Sequence, residues 1–256
     1  MVNSTTHPRA SFRDNPREQE RIRDLLSLVP ERGTNLLDVG ARDGYLSRKL
    51  ADRFDAVVAL DLEKPDIEHE KILPVRGDVT ALSYPDGAFE IVLCAEVLEH
   101  IPPRSLVRAC SELARVTSSY VIVGVPYKQD LRVGRTTCQA CGKTNPPWGH
   151  VNAFDVVQLQ TLFSDLVSEK ISFVGQNNQK TNFVSRLLMD IAGNPYGTYV
   201  QQEPCMHCGA ALQPPPDRGV LQKVLTKCAF LIGRLQLRST DANPNWVHVR
   251  FRKKGV

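Results

Sequence analysis

Short apolar runs alternate with helical patterns along most of the chain, and this alternation restricts its fold more than any other feature. Runs such as AVVAL and YVIVGV have the length and β-branched content of buried strands. Because strands and helices that alternate at this spacing pair in parallel through crossover helices, the pattern predicts an open α/β sheet. Strands are predicted at Asn35–Val39, Ala56–Leu60, Ile72–Arg76, Phe89–Cys94, Tyr120–Val125, Ile171–Gly175 and Trp246–Arg252, the last near a sheet edge. Helices are predicted at Pro16–Val29, Tyr45–Arg53, Pro103–Val116, Val156–Phe163 and 218–238.

The composition is that of a soluble globular protein, with 42% hydrophobic and 23% charged residues among 256. No apolar run approaches the roughly 20 residues that span a bilayer, and the N-terminal residues lack the apolar core of a signal peptide. We therefore expect a cytoplasmic protein. Residues 1–14 are expected to form a mobile tail, and 15–256 one domain with insertions at about 128–153 and 190–238. Asn15 as N-cap, Pro16 at the first helical position and Glu18 closing a capping box mark the first helix.

Basic residues are concentrated near the C-terminus. The block 217–254 carries a net charge of +7, although the whole chain carries only +4. In the predicted helix 218–238, apolar residues share one face, and Lys223, Lys227, Arg234 and Arg238 gather on the other. We expect the apolar face to pack over the core and the basic face to be solvated. A lid over an anionic substrate and peripheral contact with anionic lipid headgroups remain alternatives, whereas the scarcity of interleaved aromatic residues disfavours nucleic acid.

Four of the seven cysteines form two Cys-x-x-Cys-Gly motifs, TCQACGK and PCMHCGA. Two thiolates at this spacing bind one metal from a single turn, and the following glycine permits the left-handed backbone of such a knuckle. Together the pairs predict a structural zinc site that clips two distant insertions together. Two unrelated reduced pairs and a redox dithiol are the alternatives, and Pro204 argues against the second. The predicted ligands are Cys138, Cys141, Cys205 and Cys208.

A glycine-containing loop, Asp38-Val-Gly40-Ala-Arg42-Asp-Gly44, connects the first predicted strand to a helix. Glycine suits a tight turn where the backbone approaches a ligand. Asp61 ends the second strand, where a carboxylate can accept both hydroxyls of a ribose, and Asp78 follows the third. The spacing departs from the dinucleotide-binding motif Gly-x-Gly-x-x-Gly, which disfavours NAD. A structural turn without a ligand remains an alternative.

The runs LLDVGARDGYLSRKLA, VVALDLE, RGDVTALSYPDGAFEIVLCAEVLEHI and YVIVGVPY resemble class I S-adenosylmethionine-dependent methyltransferases. The resemblance is strongest to the bacterial subgroup that includes ubiquinone- and small-molecule-methylating enzymes, and it covers about residues 20–175 and the final strand. It implies a Rossmann-like, doubly wound, mostly parallel sheet of seven strands. The cofactor-binding residues that it implies are Asp38, Gly40, Ala41, Arg42, Gly44, Asp61, Leu62, Asp78, Val79, Cys94, Ala95 and Glu96. Two positions depart from the family, with Arg42 replacing its middle glycine and Glu90 its fourth-strand Asp.

An acid–histidine cluster follows the fourth strand, at Glu96, Glu99 and His100, and His150 follows the fifth. We expect Glu96, His100 and His150 to be catalytic, with a histidine accepting a proton, and a structural role for these histidines is the alternative. The implied activity is methyl transfer from S-adenosylmethionine to a small molecule, glycan or lipid-linked intermediate. The Glu-x-x-Glu-His motif, together with a distant histidine, is also similar to the divalent-metal site of bacterial RNA 3′-terminal ribose 2′-O-methyltransferases, which is the first alternative. A non-catalytic binding module, with Arg42 blocking the cofactor, is the second.

Overall fold

The computed structural model describes residues 15–216, 218–237 and 242–255, so the predicted tail at 1–14 lies outside the described residues. The chain divides into two compact units. Unit 1 comprises the described residues up to Tyr127, Phe154–Gly175 and those from Pro244 onward. Unit 2 comprises Lys128–Ala153 and the described part of Gln176–Asn243. The second segment of unit 2 begins at Gln176, whereas the corresponding insertion was predicted to begin at about residue 190.

Unit 1 is built on a seven-stranded sheet of order β3-β2-β1-β4-β5-β9-β8. The first five strands along this order are parallel, and β9 pairs antiparallel with both β5 and β8. The predicted α/β fold with a mostly parallel seven-stranded sheet is confirmed. The strands are β1 Gly33–Val39, β2 Phe54–Asp61, β3 Ile72–Arg76, β4 Phe89–Ala95, β5 Thr117–Pro126, β8 Leu166–Val174 and β9 Trp246–Lys253. The final strand β9 lies one position inside the edge, which β8 occupies.

Four helices cover the two faces of this sheet: α1 Pro16–Leu28, α2 Tyr45–Ala51, α3 Pro103–Val116 and α4 Val156–Leu162. Successive strand residues point to opposite faces. Leu36 accordingly packs in one buried cluster with residues of α1 and α2, whereas Leu37 packs in another with residues of α3 and α4. Asn15 caps α1 by accepting from the Arg17 amide, as predicted. Glu18 instead turns to Arg21, so the predicted capping box is wrong.

Unit 2 contains a two-stranded antiparallel ribbon, β6 Thr136–Thr137 and β7 Thr144–Asn145, and two helices. These helices are α5 Phe183–Ile191, which the sequence analysis missed, and α6 Val220–Leu237. Asn182 caps α5 by accepting from the Ser185 amide. Arg238, expected in the last turn of the basic helix, lies outside the described residues. Among the described helices, none combines the length and apolar character needed to cross a bilayer.

Candidate cofactor and metal sites

The glycine loop after β1 requires glycine at two positions. Gly40 and Gly44 have φ of +77° and +74°, in the left-handed region. A Cβ at Gly40 would lie 2.3 Å from Val97 Cγ2, and one at Gly44 would lie 2.3 Å from Ile67 Cδ1. The amide of Gly40 donates to the Leu60 carbonyl at 2.8 Å, which ties the loop to the end of β2. The loop is therefore held closely against the carboxyl edge of the sheet, where open α/β folds bind ligands.

Arg42 occupies this loop in a left-handed conformation, with φ of +50°. Such backbone is uncommon for residues other than glycine and costs on the order of 1 kcal/mol. Its amide donates to Asp61 Oδ2 at 2.9 Å, and the amide of Leu62 donates to Oδ1 at 2.7 Å. Two backbone donors thus fix the Asp61 carboxylate at the end of β2. Because a carboxylate offers about four acceptor sites, two remain for a ligand's hydroxyls.

Three other predicted cofactor-binding residues lie at the same edge of the sheet as Asp61. Asp38 is buried at the end of β1 and accepts from Ser47 Oγ at 2.6 Å. Burial raises the pKa of Asp38 to about 7. Asp78 is exposed after β3 and accepts from the Thr80 amide at 2.8 Å, while Val79 beside it is buried. Asp38 therefore supports the loop from within, whereas Asp78 faces outward.

Leu62 and Ala41 complete the predicted set on this side of the sheet. Leu62 is 66% exposed, and Ala41 is a buried residue of the glycine loop. An exposed leucine beside Asp61 offers an apolar surface to a ring held at that carboxylate. The predicted residues of β1, β2 and β3 thus meet at one edge, within unit 1.

The remaining predicted cofactor-binding residues lie at the end of β4. Cys94 is fully buried, and burial raises the pKa of its thiol well above the usual value. Ala95 is half-buried, and Glu96 follows it with φ of +57°. The Glu96 amide donates to the Gly124 carbonyl at 2.8 Å. This bond holds Glu96 in its left-handed backbone conformation directly after β4.

Glu96 belongs to a polar cluster that the sequence analysis did not find. Trp246 Nε1 donates to Glu96 Oε2 at 3.3 Å, and Arg21 Nη1 lies 3.9 Å from Oε1. Arg21 is itself paired with Glu18. Glu96 Oε1 and Arg21 Nη1 are buried and have no hydrogen-bond partner among the described residues. Buried polar atoms are nearly always hydrogen-bonded, so these two atoms mark a place for a ligand or water.

Burial is the main cause of the pKa shifts in this cluster. It raises the pKa of Glu96, although Arg21 opposes the shift. It also raises the pKa of Glu99 well above its usual value, with repulsion from Glu96 as the second cause. A carboxylate oxygen of Glu99 lies within 4.8 Å of a ring nitrogen of His100. The predicted Glu96, Glu99 and His100 are thus brought together in unit 1.

His248 on β9 is a further buried residue of unit 1 that no local motif revealed. Its Nδ1 contacts Asp24 Oδ2 at 2.6 Å, and Asp24 also accepts from Ser172. Its Nε2 is buried without a hydrogen-bond partner in the described part of the chain. Trp246 and His248 reach the site through strand pairing from the far end of the sequence, so neither could be found by motif.

His150, the third predicted catalytic residue, belongs to unit 2. It is buried, and its Nδ1 contacts Gln129 Oε1 at 2.6 Å. Its amide donates to the Pro147 carbonyl at 3.0 Å, after a turn in which Trp148 and Gly149 both have positive φ. The surrounding backbone and Gln129 therefore fix the imidazole within its own unit.

The four predicted zinc ligands also lie in unit 2, and their sulfurs are all within 4.8 Å of one another. The Sγ atoms of Cys138 and Cys208 are 3.7 Å apart, as are those of Cys141 and Cys205. A regular tetrahedron with Zn–S bonds of about 2.3 Å has sulfurs about 3.8 Å apart. Disulfide bonds, at about 2.05 Å, are excluded.

The two cysteine pairs adopt the same backbone geometry. Gly142 N donates to Cys138 O at 2.9 Å, and Gly209 N donates to Cys205 O at 2.8 Å. Both glycines have positive φ, 71° and 73°. The two pairs therefore form two similar knuckles whose sulfurs lie together. Four cysteine sulfurs suit a closed, four-coordinate zinc site.

Comparison with known proteins agrees with the geometry of unit 1. Residues 37–122 match the family model described as "Methyltransferase domain". The ubiquinone biosynthesis O-methyltransferase of Chromobacterium violaceum is 37% identical over 94 residues, covering 32% of this chain and 40% of the relative. That of Bordetella avium is 32% identical over 115 residues, covering 40% and 46%. The chain thus spans less than half the length of these relatives.

Solved structures share the fold over nearly the whole chain. The N-methyltransferase NodS of Bradyrhizobium japonicum, in complex with S-adenosyl-l-homocysteine, aligns with 95% of this chain and 91% of its own at a TM-score of 0.53 and 15% identity. The YcgJ protein of Bacillus subtilis aligns with 93% and 99% at a TM-score of 0.55 and 13% identity. Residues 37–122 are thus similar to a methyltransferase domain, and the chain shares the fold of methyltransferases of known structure.

Proposed function

We propose that this protein transfers a methyl group from S-adenosylmethionine to a small-molecule acceptor. The observation that carries the proposal is the Asp61 carboxylate, fixed by the amides of Arg42 and Leu62 beside the glycine loop. It lies within the segment that matches the methyltransferase domain. A carboxylate held in this way at the end of the second strand suits a ribose with two free hydroxyls.

The residues of the carboxyl edge suit the rest of the cofactor. S-adenosylmethionine supplies an electrophilic methyl group on its sulfonium. Asp61 would accept from the ribose hydroxyls, and the exposed Leu62 and the turn at Asp78 would flank the adenine. Arg42 has an exposed side chain and uses its amide to orient Asp61. This arrangement favours a cofactor-binding loop over the binding-module alternative.

Glu96 is the residue best placed to meet the acceptor. Trp246 holds its Oε2, which leaves Oε1 without a hydrogen-bond partner among the described residues. Oε1 would accept the proton that an acceptor hydroxyl or amine loses as it attacks the methyl group. Burial raises the pKa of Glu96, which makes it a stronger base, and Arg21 favours its ionised form. Roles for His100 and His150 in proton transfer stay predictions.

The relatives support a small acceptor with a reactive oxygen or nitrogen. The curated relatives carry the name ubiquinone biosynthesis O-methyltransferase, and NodS is named an N-methyltransferase. A more specific proposal is that the acceptor is a glycan or a lipid-linked intermediate. The local excess of basic residues near the C-terminus suits an anionic acceptor.

We also infer a structural Zn²⁺ in unit 2, held by Cys138, Cys141, Cys205 and Cys208. The sulfur separations and the repeated knuckle geometry support it. Four thiolates saturate a tetrahedral ion, so this metal would have no open position for catalysis. It would stabilise a unit whose two chain segments have little regular secondary structure around the cysteines.

Methyl transfer can be tested with labelled S-adenosylmethionine and a metabolite extract filtered free of macromolecules. Wild-type protein should label a small molecule. Glu96→Gln should reduce labelling by at least about 10²-fold while cofactor affinity stays within about twofold, because it removes only the base. Glu70→Gln, an exposed change, is the matched control. In a parallel assay with added RNA, labelling of RNA alone, and only with Mg²⁺ or Mn²⁺, would favour the ribose-methylating alternative. No binding of S-adenosylmethionine would favour the binding module.

A further inference from the structure

The two helices of unit 2 place polar residues at their mutual contact and apolar residues on their exposed faces. Ser185 Oγ on α5 donates to the Ala229 carbonyl on α6 at 2.8 Å, and Asn182 Nδ2 donates to the Ile232 carbonyl at 3.3 Å. A Cβ added at Gly233 would lie 3.3 Å from Ser185 Oγ. Small and polar residues thus lie at the contact between α5 and α6. Helices that pair in water normally bury large apolar residues in that position.

Several large apolar residues of α6 are exposed instead. Val220, Leu221, Val224, Cys228 and Leu231 form an exposed row that we call the α6 stripe. Leu221 is 70% exposed and Leu231 is 62% exposed. The expectation that this apolar face packs over the core is therefore wrong, because the buried residues of the helix include Thr226 and Ala229. The side chain of Leu235, expected on the same face, lies outside the described part.

Helix α5 repeats the pattern. Its exposed residues include four large apolar ones, and Ser185 is its buried residue. The exposed set is Phe183, Val184, Leu187 and Ile191. Both partners of the helix pair therefore expose their apolar faces, and contiguous apolar exposure of this kind marks an interaction surface.

Charge indicates what this surface contacts. The described charged residues of α6 are all cations, Lys223, Lys227 and Arg234, and all three are exposed. At 100° per residue they lie within about 40° of one another, alongside the α6 stripe. A second copy of this helix would bring the same cations and no acidic complement. Protein interfaces are also depleted of Lys, whereas amphipathic helices at membrane surfaces place Lys and Arg beside an apolar face.

We propose that α5 and α6 bind the surface of an anionic lipid bilayer. The α6 stripe would enter the boundary between headgroups and acyl chains, and Lys223, Lys227 and Arg234 would contact the headgroups. The exposure of apolar residues on both helices then has a physical reason, because their outward faces would contact hydrocarbon rather than water. Binding of this kind is peripheral, which agrees with the absence of a bilayer-spanning helix among the described residues.

The test is co-sedimentation of the full chain with phosphatidylcholine vesicles, with and without phosphatidylglycerol. Binding should require the anionic lipid and weaken with salt. Each cation removed in Lys223→Gln, Lys227→Gln and Arg234→Gln should reduce partitioning by about fivefold. Each change in Leu221→Ser and Leu231→Ser should reduce it by about tenfold or more. Matched controls on α3, Val107→Ser and Arg104→Gln with Arg108→Gln, should leave it unchanged, since these residues are also exposed.

A local probe makes the outcome decisive. Leu231→Trp should show fluorescence that brominated lipids quench, whereas Val107→Trp should not. No binding to anionic vesicles at low salt, or equal quenching of the two tryptophans, would overturn the proposal. So would light scattering that reveals a dimer abolished by Leu231→Ser, since a second copy would then cover the stripe. Unchanged circular dichroism in every variant excludes misfolding as the cause.

Discussion

Replacement of Asp61 by alanine tests the cofactor site most sharply. The wild-type carboxylate accepts from two backbone amides, at 2.9 Å from Arg42 and 2.7 Å from Leu62. Asp61→Ala removes both anchors and the acceptor for the ribose hydroxyls. Hydrogen bonds to a charged group contribute about 1.5–3 kcal/mol each. The loss of one to two ribose bonds at the lower value corresponds to about a 10–150-fold rise in Kd for S-adenosylmethionine.

The assay is isothermal titration calorimetry, accompanied by thermal unfolding. Asp61→Asn keeps the size of the side chain but offers one oxygen to two amide donors, so it should show a smaller loss of affinity than Asp61→Ala. Asp55→Ala, an exposed change on the same strand, is the matched control and should leave affinity unchanged. If Asp61→Ala binds S-adenosylmethionine as tightly as wild type, Asp61 does not hold the ribose, although the fold assignment would stand.

Three further predictions concern the metal, the histidine and the buried aspartate. Elemental analysis of tag-free protein should find one zinc per chain, and Cys205→Ser should lose it and unfold at lower temperature, because metal binding and local folding are linked; metal-free protein of equal stability would refute the site. His150→Gln should reduce turnover by about 10²–10⁴-fold with cofactor affinity within about twofold if the imidazole transfers a proton, whereas a loss confined to thermal stability would assign His150 a structural role beside Gln129. Because the pKa of Asp38 is raised to about 7, this group lowers stability progressively as pH rises from about 4 to 7. Asp38→Asn should therefore flatten the pH dependence of unfolding in that window, and an unchanged slope would contradict the buried, raised carboxyl.

The fold of unit 1 could be predicted because its central strands β1, β4 and β5 carry buried, continuous apolar runs. Pro103–Val116 was predicted to the residue, and Ile72–Arg76 likewise. Strand ends were less certain, since β8 begins at Leu166 whereas its apolar pattern becomes clear only near Ile171. Half-exposed edge strands carry a weaker hydrophobic pattern than central ones.

The helix pair of unit 2 shows where the sequence pattern fails. Periodicity correctly placed a helix at Val220–Leu237, but an apolar face was taken to be a buried face. In the structure, Leu221 and Leu231 are exposed, and Ala229 makes the helix contact. Helix α5 was missed although Asn182 before an apolar run is a cap signal.

Part of the candidate site depends on contacts that sequence spacing does not encode. The glycine loop, Asp61 and Glu96 lie in local motifs and could be found. Trp246 is 150 positions from Glu96, and only the pairing of β5 with β9 brings them together. Arg21 likewise reaches Glu96 from a helix that looked merely amphipathic.

Hydrogen exchange with and without S-adenosyl-l-homocysteine tests the central claim most directly, because it locates the cofactor without knowledge of the acceptor. The account predicts added protection of backbone amides in the loop 40–44, at 61–62 and 78–79, and at 94–96, with little change in α5 and α6. Binding that protects other segments and leaves the amides of Arg42 and Leu62 unchanged would contradict it, and so would the absence of any protection at saturating ligand.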